Sequence, residues 1–329
     1  MKNQKILFMA ANFLWLSLFV SGCKEYTTKT KINSDGSCER VVIVEGDTTG
    51  IALLPFPVPT EKSWSIKTKK SYRDSSKFIF TASKIFNDVN ELNEEYSDSG
   101  KIGVAIKFDK KFRWFYTYYE YEETYKSFLP YKMIPLNEYL TESEYKSFLN
   151  DDTTKALKER LGKYAGENFL EYFLSNFLEK CKQYNIDEVN ERSIKEKKQV
   201  ILEYIDHNES DGSKLTLFLK ETFNSDAILN LQPFVEKMLR EIKKKMEWIT
   251  GASGAYTNQV TMPGMILSTN SKSINGNTVE WKVYAERFLY DDFVMKVESR
   301  SANLASFIIT GILTVGLLIA LIIPKWKKR

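Results

Sequence analysis

The side chains able to carry chemistry are few and scattered along the chain. His207 is the sole histidine, in the run His207-Asn208-Glu209-Ser210-Asp211-Gly212. No serine carries the flanking glycines of a nucleophile elbow. One histidine with Cys38 and Cys181 falls short of a zinc set. Carboxylates cluster at Glu120, Glu122 and Glu123 and again at Asp291-Asp292. Paired acids hydrolyse glycosides, so a glycan hydrolase using the acids beside an aromatic strand stands as one alternative. No glycine-rich phosphate loop is present. No catalytic residue, metal or cofactor is assigned on this basis. Cys38 and Cys181 either pair as a disulfide in an oxidising compartment or stay as two buried thiols, Cys181 on a helix stripe and Cys38 in a strand.

The third cysteine has a clearer context. Met1 to Lys5 is basic and Ile6 to Val20 is apolar, the n-region and h-region of a signal peptide over residues 1–22. Val20-Ser21-Gly22-Cys23 closes it and resembles the bacterial lipobox, which marks Cys23 for acylation. Ordinary cleavage near Ser21 or Gly22 is the plainer reading. At the other end, residues 304–323 carry no charge and span about 30 Å as a helix, enough to cross a bilayer core. The basic tail 324–329, Lys325-Trp326-Lys327-Lys328-Arg329 after Pro324, belongs on the cytoplasmic side. The expected localisation is the bacterial cytoplasmic membrane, crossed once, with residues 23–300 as an extracytoplasmic domain. The formal charge of +4 reflects this topology. Lys2, Lys5, Lys325, Lys327, Lys328 and Arg329 flank the apolar segments, and removing these six from the 47 basic residues leaves 41 against 43 acidic ones. A body without basic excess argues against nucleic acid as a partner. About three residues separate Cys23 from the first strand and about five separate the last strand from Leu304. At ~3.3 to 3.6 Å per residue, neither tether exceeds roughly 20 Å, so both ends of the fold are expected close to one membrane.

Aromatic residues are the other concentrated resource. Phe112, Trp114, Tyr116 and Tyr118 are expected on one face of a strand, and Phe115, Tyr119 and Tyr121 on the other. Such a strand is either covered on both faces or offers a platform to a sugar ring or lipid. Pro55, Pro57 and Pro59 make Leu53 to Pro59 an extended apolar loop carrying Phe56, either a strap across the core or the lip of a ligand groove. The candidate ligand-binding residues are therefore Phe56, Trp114, Tyr116, Tyr118 and Tyr119.

The elements that must position these residues follow from periodicity. Residues 26–46 read as a hairpin around the turn Asn33 to Ser37. Strand-like runs follow at Ser63 to Lys69, Lys77 to Ser83 and Ile102 to Phe108. From 137 to 250 the period becomes helical. Thr141 and Glu144 have the spacing of a capping box. Leu170, Leu174, Phe177, Cys181 and Tyr184 form one stripe, and Leu231, Val235, Met238, Ile242, Met246 and Ile249 form another. Ser213 to Phe223 is ambiguous, because Leu215, Leu217 and Leu219 alternate as in a strand. Strands resume at Tyr256 to Thr261, Met265 to Thr269, Val279 to Ala285 and Val294 to Glu298, with Asn275-Gly276 as a hairpin turn. The fold class is α+β: an antiparallel sheet from both ends of the chain, a helical middle section packed on it, and one C-terminal transmembrane helix.

Two pieces resemble the LppM family of membrane-anchored bacterial lipoproteins. One is the lipobox cysteine followed by a strand, the turn at Asp35-Gly36-Ser37 and a second strand. The other is Val260-Thr261-Met262-Pro263-Gly264, Thr269-Asn270 and Asn275-Gly276-Asn277-Thr278-Val279-Glu280-Trp281, then a membrane helix and a basic tail. Together they cover about a third of the chain, and the middle section has no matching motif. The resemblance implies a surface-facing domain in contact with lipids or glycolipids and no catalytic residue. The leading expectation is a non-enzymatic module that binds lipid, glycolipid or a protein partner at the membrane surface. The alternatives are an envelope-glycan hydrolase and a structural subunit of a membrane complex, joined to an envelope protein through the helices or through Gly316 and Ala320.

Overall fold

The computed structural model describes residues 25–46, 56–72, 74–97, 102–127, 129, 131–150, 152, 154–207, 211–251, 255–284 and 287–326. The signal peptide, Cys23, residues 53–55 of the proline loop and tail residues 327–329 lie outside these. The elements in chain order are β1 (Glu25–Ile32), β2 (Cys38–Gly46), β3 (Ser65–Lys70), β4 (Phe78–Phe86), α1 (Val89–Ser97), β5 (Val104–Phe112) and β6 (Tyr116–Tyr125). The helical section holds α2 (Leu136–Tyr139), α3 (Glu142–Leu149), α4 (Lys155–Gln183), α5 (Glu191–His207), α6 (Gly212–Phe223), a 3-10 turn (Asp226–Leu231) and α7 (Gln232–Gly251). Then come β7 (Ala255–Thr261), β8 (Met265–Thr269), β9 (Ser273–Asn275), β10 (Thr278–Tyr284), α8 (Arg287–Tyr290), β11 (Phe293–Ala302) and α9 (Leu304–Trp326).

The fold is α+β, and the two ends of the chain do share a sheet. Its order is β3-β4-β2-β1-β7-β10-β9, and a second sheet runs β5-β6-β11-β8. Two features differ from the expected single antiparallel sheet. The C-terminal strands divide between two sheets, and the seam where the ends meet, β1 against β7, is parallel. The helical section supplies the long crossover that a parallel pair requires.

One core fills the space between the sheets. Tyr26, Val42, Val44, Tyr256, Val260, Val279 and Trp281 point in from the first sheet. Val104, Ile106, Tyr119, Tyr121, Tyr125, Met295 and Val297 point in from the second. Leu92 and Tyr96 of α1, a helix that the sequence reading passed over, join the same core. At about 25 cal/mol per Å² of apolar surface, this burial is the main force holding the sheets together.

The helices form a separate core instead of packing flat on the sheet. Leu170, Phe173, Leu174, Phe177 and Cys181 of α4 meet Leu215 and Leu219 of α6 and Val235 and Met238 of α7. α6 is a helix, so the alternating leucines misled: Leu215 and Leu219 are buried and Leu217 is exposed. Asp211 caps it, accepting from the backbone N–H of Ser213 at 3.0 Å. The Thr141–Glu144 capping box forms as expected. A third cluster, with Leu136, Phe148, Leu161 and Tyr164 against Leu289 and Tyr290 of α8, joins the helices to the sheets. Cys38 belongs to the sheet core and Cys181 to the helical one, so both are free thiols and the disulfide is not formed. Burial pushes the Cys38 thiol up to about 11 and that of Cys181 up to about 12.

The termini of the body lie at opposite ends of the strands. Tyr125 pairs with Phe293 and Tyr116 with Ala302, next to α9. Asn258 reaches Met295 at 3.0 Å, and the Tyr256 ring lies 5.2 Å from that of Tyr125. β1 runs parallel to β7 with Glu25 opposite Ala255. Glu25 is therefore at the Phe293 end of the ten-residue β11, about 30 Å from the root of α9. The two ends therefore do not share one edge of the sheets, and both lie close to one membrane only if the strands run along its surface.

Candidate functional site

The carboxylates noted in the sequence are committed to neighbours. Glu123 and Arg40 are fully buried and form a bidentate pair, Arg40 Nη2 to Glu123 Oε1 at 2.7 Å and Nη1 to Oε2 at 3.1 Å. Tyr121 donates to Oε2 at 2.7 Å, Tyr125 to Oε1 at 2.6 Å and Asn258 Nδ2 to Oε2 at 2.7 Å. Thr30 accepts from Arg40, and Tyr256 bonds to Tyr125. Burial pushes the Glu123 carboxyl up, but the Arg40 charge and the hydrogen bonds outweigh it and hold it below the usual range. Glu120 pairs with Lys111 at 2.8 Å, Glu122 with Lys296 at 2.8 Å, and Asp292 with Lys126 and Lys132 at 2.9 Å each. A glycosidase needs two carboxyls facing each other across a cleft. Glu120, Glu122, Glu123 and Asp292 are instead each held in a separate buried or surface ion pair. Among the described residues no group of three metal-ligating side chains is assembled.

The aromatic candidates separate into two environments. Phe56 is buried at 4 % exposure, with its ring 4.7 Å from Tyr256, 5.0 Å from Tyr26 and 5.2 Å from Phe288. Tyr26 donates to the carbonyl of Pro57, fixing the loop over the core. Phe56 is thus placed as part of a strap, and a ligand would reach it only by displacing that segment. Tyr119 is also buried, stacked on Phe108 at 6.1 Å. Trp114, Tyr116 and Tyr118 are at the surface. Tyr116 and Tyr118 share the outward face of β6, as expected from alternation. Trp114 is not on the strand, because β5 ends at Phe112 and Trp114-Phe115 form the hairpin turn, closed by Arg113 and Tyr116 backbone bonds of 2.8 and 3.1 Å. Two-residue hairpin turns favour asparagine and glycine, so the two large rings at this tip are not explained by the turn.

The tip is fastened to the root of α9. The Asn303 N–H donates to the Phe115 carbonyl at 2.9 Å, and its side-chain amide donates to the carbonyls of Arg113 at 2.7 Å and Trp114 at 3.2 Å. Thr117 donates to Asn303 Oδ1 at 2.8 Å. The Phe115 and Phe307 rings are 4.8 Å apart, and Trp114 Nε1 donates to Thr310 Oγ1 at 2.8 Å. Above the tip, the Arg113 guanidinium lies over the Tyr118 ring at 5.8 Å and that of Arg300 over Tyr116 at 4.6 Å. Gly264, at φ +76°, brings the Pro263-Gly264 bend against β11, where an added Cβ would lie 2.1 Å from the Arg300 carbonyl oxygen. Sequence reasoning found the rings but not Asn303, Arg113, Arg300, Phe307 or Thr310. The available signal was a polar asparagine between a strand and an apolar helix.

α9 is long and apolar enough to cross a membrane. It is no core helix, because Leu304, Ile308, Ile312, Leu317 and Leu321 are exposed. The chain is thus an α+β protein with an exposed apolar C-terminal helix rooted in an aromatic hairpin. No family profile matches it, and no curated protein does. One solved structure is similar, the folded domain of LppM from Mycobacterium tuberculosis determined by NMR. It has a TM-score of 0.31 and 9 % identity, covering 87 % of this chain and 95 % of that one. A likeness at that score carries no argument about function.

Proposed function

We propose that this chain is a membrane-anchored lipoprotein of the bacterial envelope, acylated at Cys23 and crossing the cytoplasmic membrane once through α9. Its body is a non-enzymatic module on the extracytoplasmic side that binds lipid or glycolipid at the membrane surface. The observation that carries this reading is the Asn303 clamp. By tying the aromatic hairpin to the first turns of α9, it holds Tyr116 and Tyr118 where a crossing helix meets the headgroups, a level at which tyrosine is enriched, with Trp114 on the membrane side of them. Phe56 and Tyr119 then serve the core, and the ligand meets the outward rings. From Cys23 to Glu25 the reach is about 7 Å. Acylation in the same membrane therefore brings the far end of the strands down to the bilayer, and the body lies along the surface instead of standing on α9.

The test is lipid analysis by mass spectrometry of full-length protein purified from its own membrane. The wild type retains a specific amphiphile, and Tyr116→Ala/Tyr118→Ala loses it. Retention of the same lipids in the same ratio by an unrelated single-pass protein would refute specific binding.

A further inference from the structure

We infer that the β5–β6 hairpin tip is immersed in the outer leaflet beside α9, with Arg113 and Arg300 seated on lipid phosphates immediately above it. The inference rests on the reading that α9 crosses the bilayer, and it follows from lengths. Trp114 is bonded to Thr310, six residues beyond Leu304 and so about 9 Å along the helix. Suppose the whole tip stayed in water. The membrane would then begin after Thr310, leaving residues 311 to 323, about 20 Å of helix, for a hydrocarbon core of about 30 Å. Tilting shortens the reach further. If instead the apolar run from Leu304 fills the core, Thr310 lies well inside it, and Trp114 and Phe115 accompany it.

The side chains fit that position. Phe112, Trp114 and Phe115 are 66 %, 49 % and 38 % exposed, a cost in water that immersion removes. The Trp114 indole N–H, which would be costly unpaired in hydrocarbon, is already satisfied by Thr310, and the Thr310 hydroxyl is itself satisfied by the Ser306 carbonyl at 2.7 Å. The backbone of the tip is closed by its own turn bonds and by Asn303, as a non-helical segment at membrane depth requires.

The charges change sign of use at the rim. Further along the outer face of the second sheet, each lysine described above is paired with an acid: Lys111 with Glu120, Lys296 with Glu122. Arg113 and Arg300, nearest α9, have no carboxylate within ion-pair distance among the described residues. They rest on the Tyr118 and Tyr116 rings, which supply no oxygen anion for their N–H groups. A planar guanidinium held on a ring suits bidentate bonding to phosphate. The occupant is thus an anionic phospholipid leaflet, read by two guanidiniums one to two residues above an apolar wedge.

The test uses the full chain in vesicles of phosphatidylcholine with phosphatidylglycerol that carry doxyl quenchers either near the ester or near the methyl end of the acyl chain. The emission difference between wild type and Trp114→Phe isolates the Trp114 signal. That signal is expected to be blue-shifted and quenched by the near-ester label more than by the deep one. Arg113→Gln/Arg300→Gln is expected to keep the quenching while losing preference for spin-labelled phosphatidylglycerol over phosphatidylcholine, by up to about fivefold per guanidinium. Carbonate extraction is run in parallel. Protein that resists extraction but shows unquenched Trp114 overturns immersion and leaves the crossing helix standing. Protein released by carbonate overturns the crossing reading itself. Unchanged lipid preference in the double variant overturns the phosphate contact.

Discussion

Glu123→Gln is the most informative change in the core. The carboxylate receives two bonds from Arg40 and one each from Tyr121, Tyr125 and Asn258. Glutamine offers one acceptor oxygen. Its amide must replace either Oε1, facing Arg40 and Tyr125, or Oε2, facing Arg40, Tyr121 and Asn258, so donor meets donor in both orientations. Arg40 also loses its counter-charge at 0 % exposure. Removing one member of a buried pair costs roughly 3 to 5 kcal/mol, which for a body of this size lowers Tm by roughly 6 to 15 °C. The assay is thermal unfolding of the full chain in detergent, followed by near-ultraviolet circular dichroism. The pH dependence adds a second constraint. The folded carboxyl titrates below its unfolded value of about 4.3. Its stabilisation is therefore full above that pH and is lost as pH falls through the folded value. The gap between wild type and variant must narrow in acid. A variant within about 1 kcal/mol of wild type at pH 7, or a gap that widens as pH falls, would refute the reasoning.

Phe56→Ala should cost about 3 to 5 kcal/mol, because the ring fills the core between Tyr26, Tyr256 and Phe288, whereas Trp114→Ala should unfold close to wild type; matching denaturation midpoints for the two would contradict their placement. Cys38 and Cys181 should resist iodoacetamide in native protein at pH 8 and react only on unfolding, since burial keeps both thiols protonated; mass spectrometry reads the adducts. Gly264→Ala should lose at least about 1 to 3 kcal/mol from its positive φ alone, and more from the clash with the Arg300 carbonyl, which a melting curve checks. Asn303→Ala should free the hairpin tip from α9, seen as faster amide exchange at Trp114 and Phe115 with the rest of the sheet protected.

Much of the architecture was legible because local signals agreed with tertiary ones. The Thr141 box and the alternation of β1, β7 and β10 each needed only neighbours in sequence. The hairpin turn was also located, but its central residues are Gly276-Asn277 and not Asn275-Gly276, because Asn275 ends β9 and pairs with Thr278. The division into two sheets and the parallel β1–β7 seam were not, because alternation gives a strand's buried face and not its partner. α6 was ambiguous because residues at i, i+2 and i+4 satisfy a strand, while i and i+4 alone satisfy a helix; Leu217 is the exposed one. The polar core could have been seen. Arg40 sits at an inward position between Cys38 and Val42, and Glu123 between Tyr121 and Tyr125, two opposite charges in otherwise buried registers. The candidate rings were found, but their strand was drawn from Phe112, four residues before β6 begins at Tyr116. That placed Trp114 on a face instead of at a tip, and the contact with α9 is a long-range one that no local pattern encodes.

The central claim is that the outward face of β6 near α9 meets lipid. A photo-crosslinking amino acid placed at Tyr118, and separately at Ile85 on the exposed side of β4 in the other sheet, tests it most directly in intact membranes. Irradiation should yield lipid-mass adducts from position 118 and none from position 85. Adducts absent at 118, or equal at both, would contradict the account.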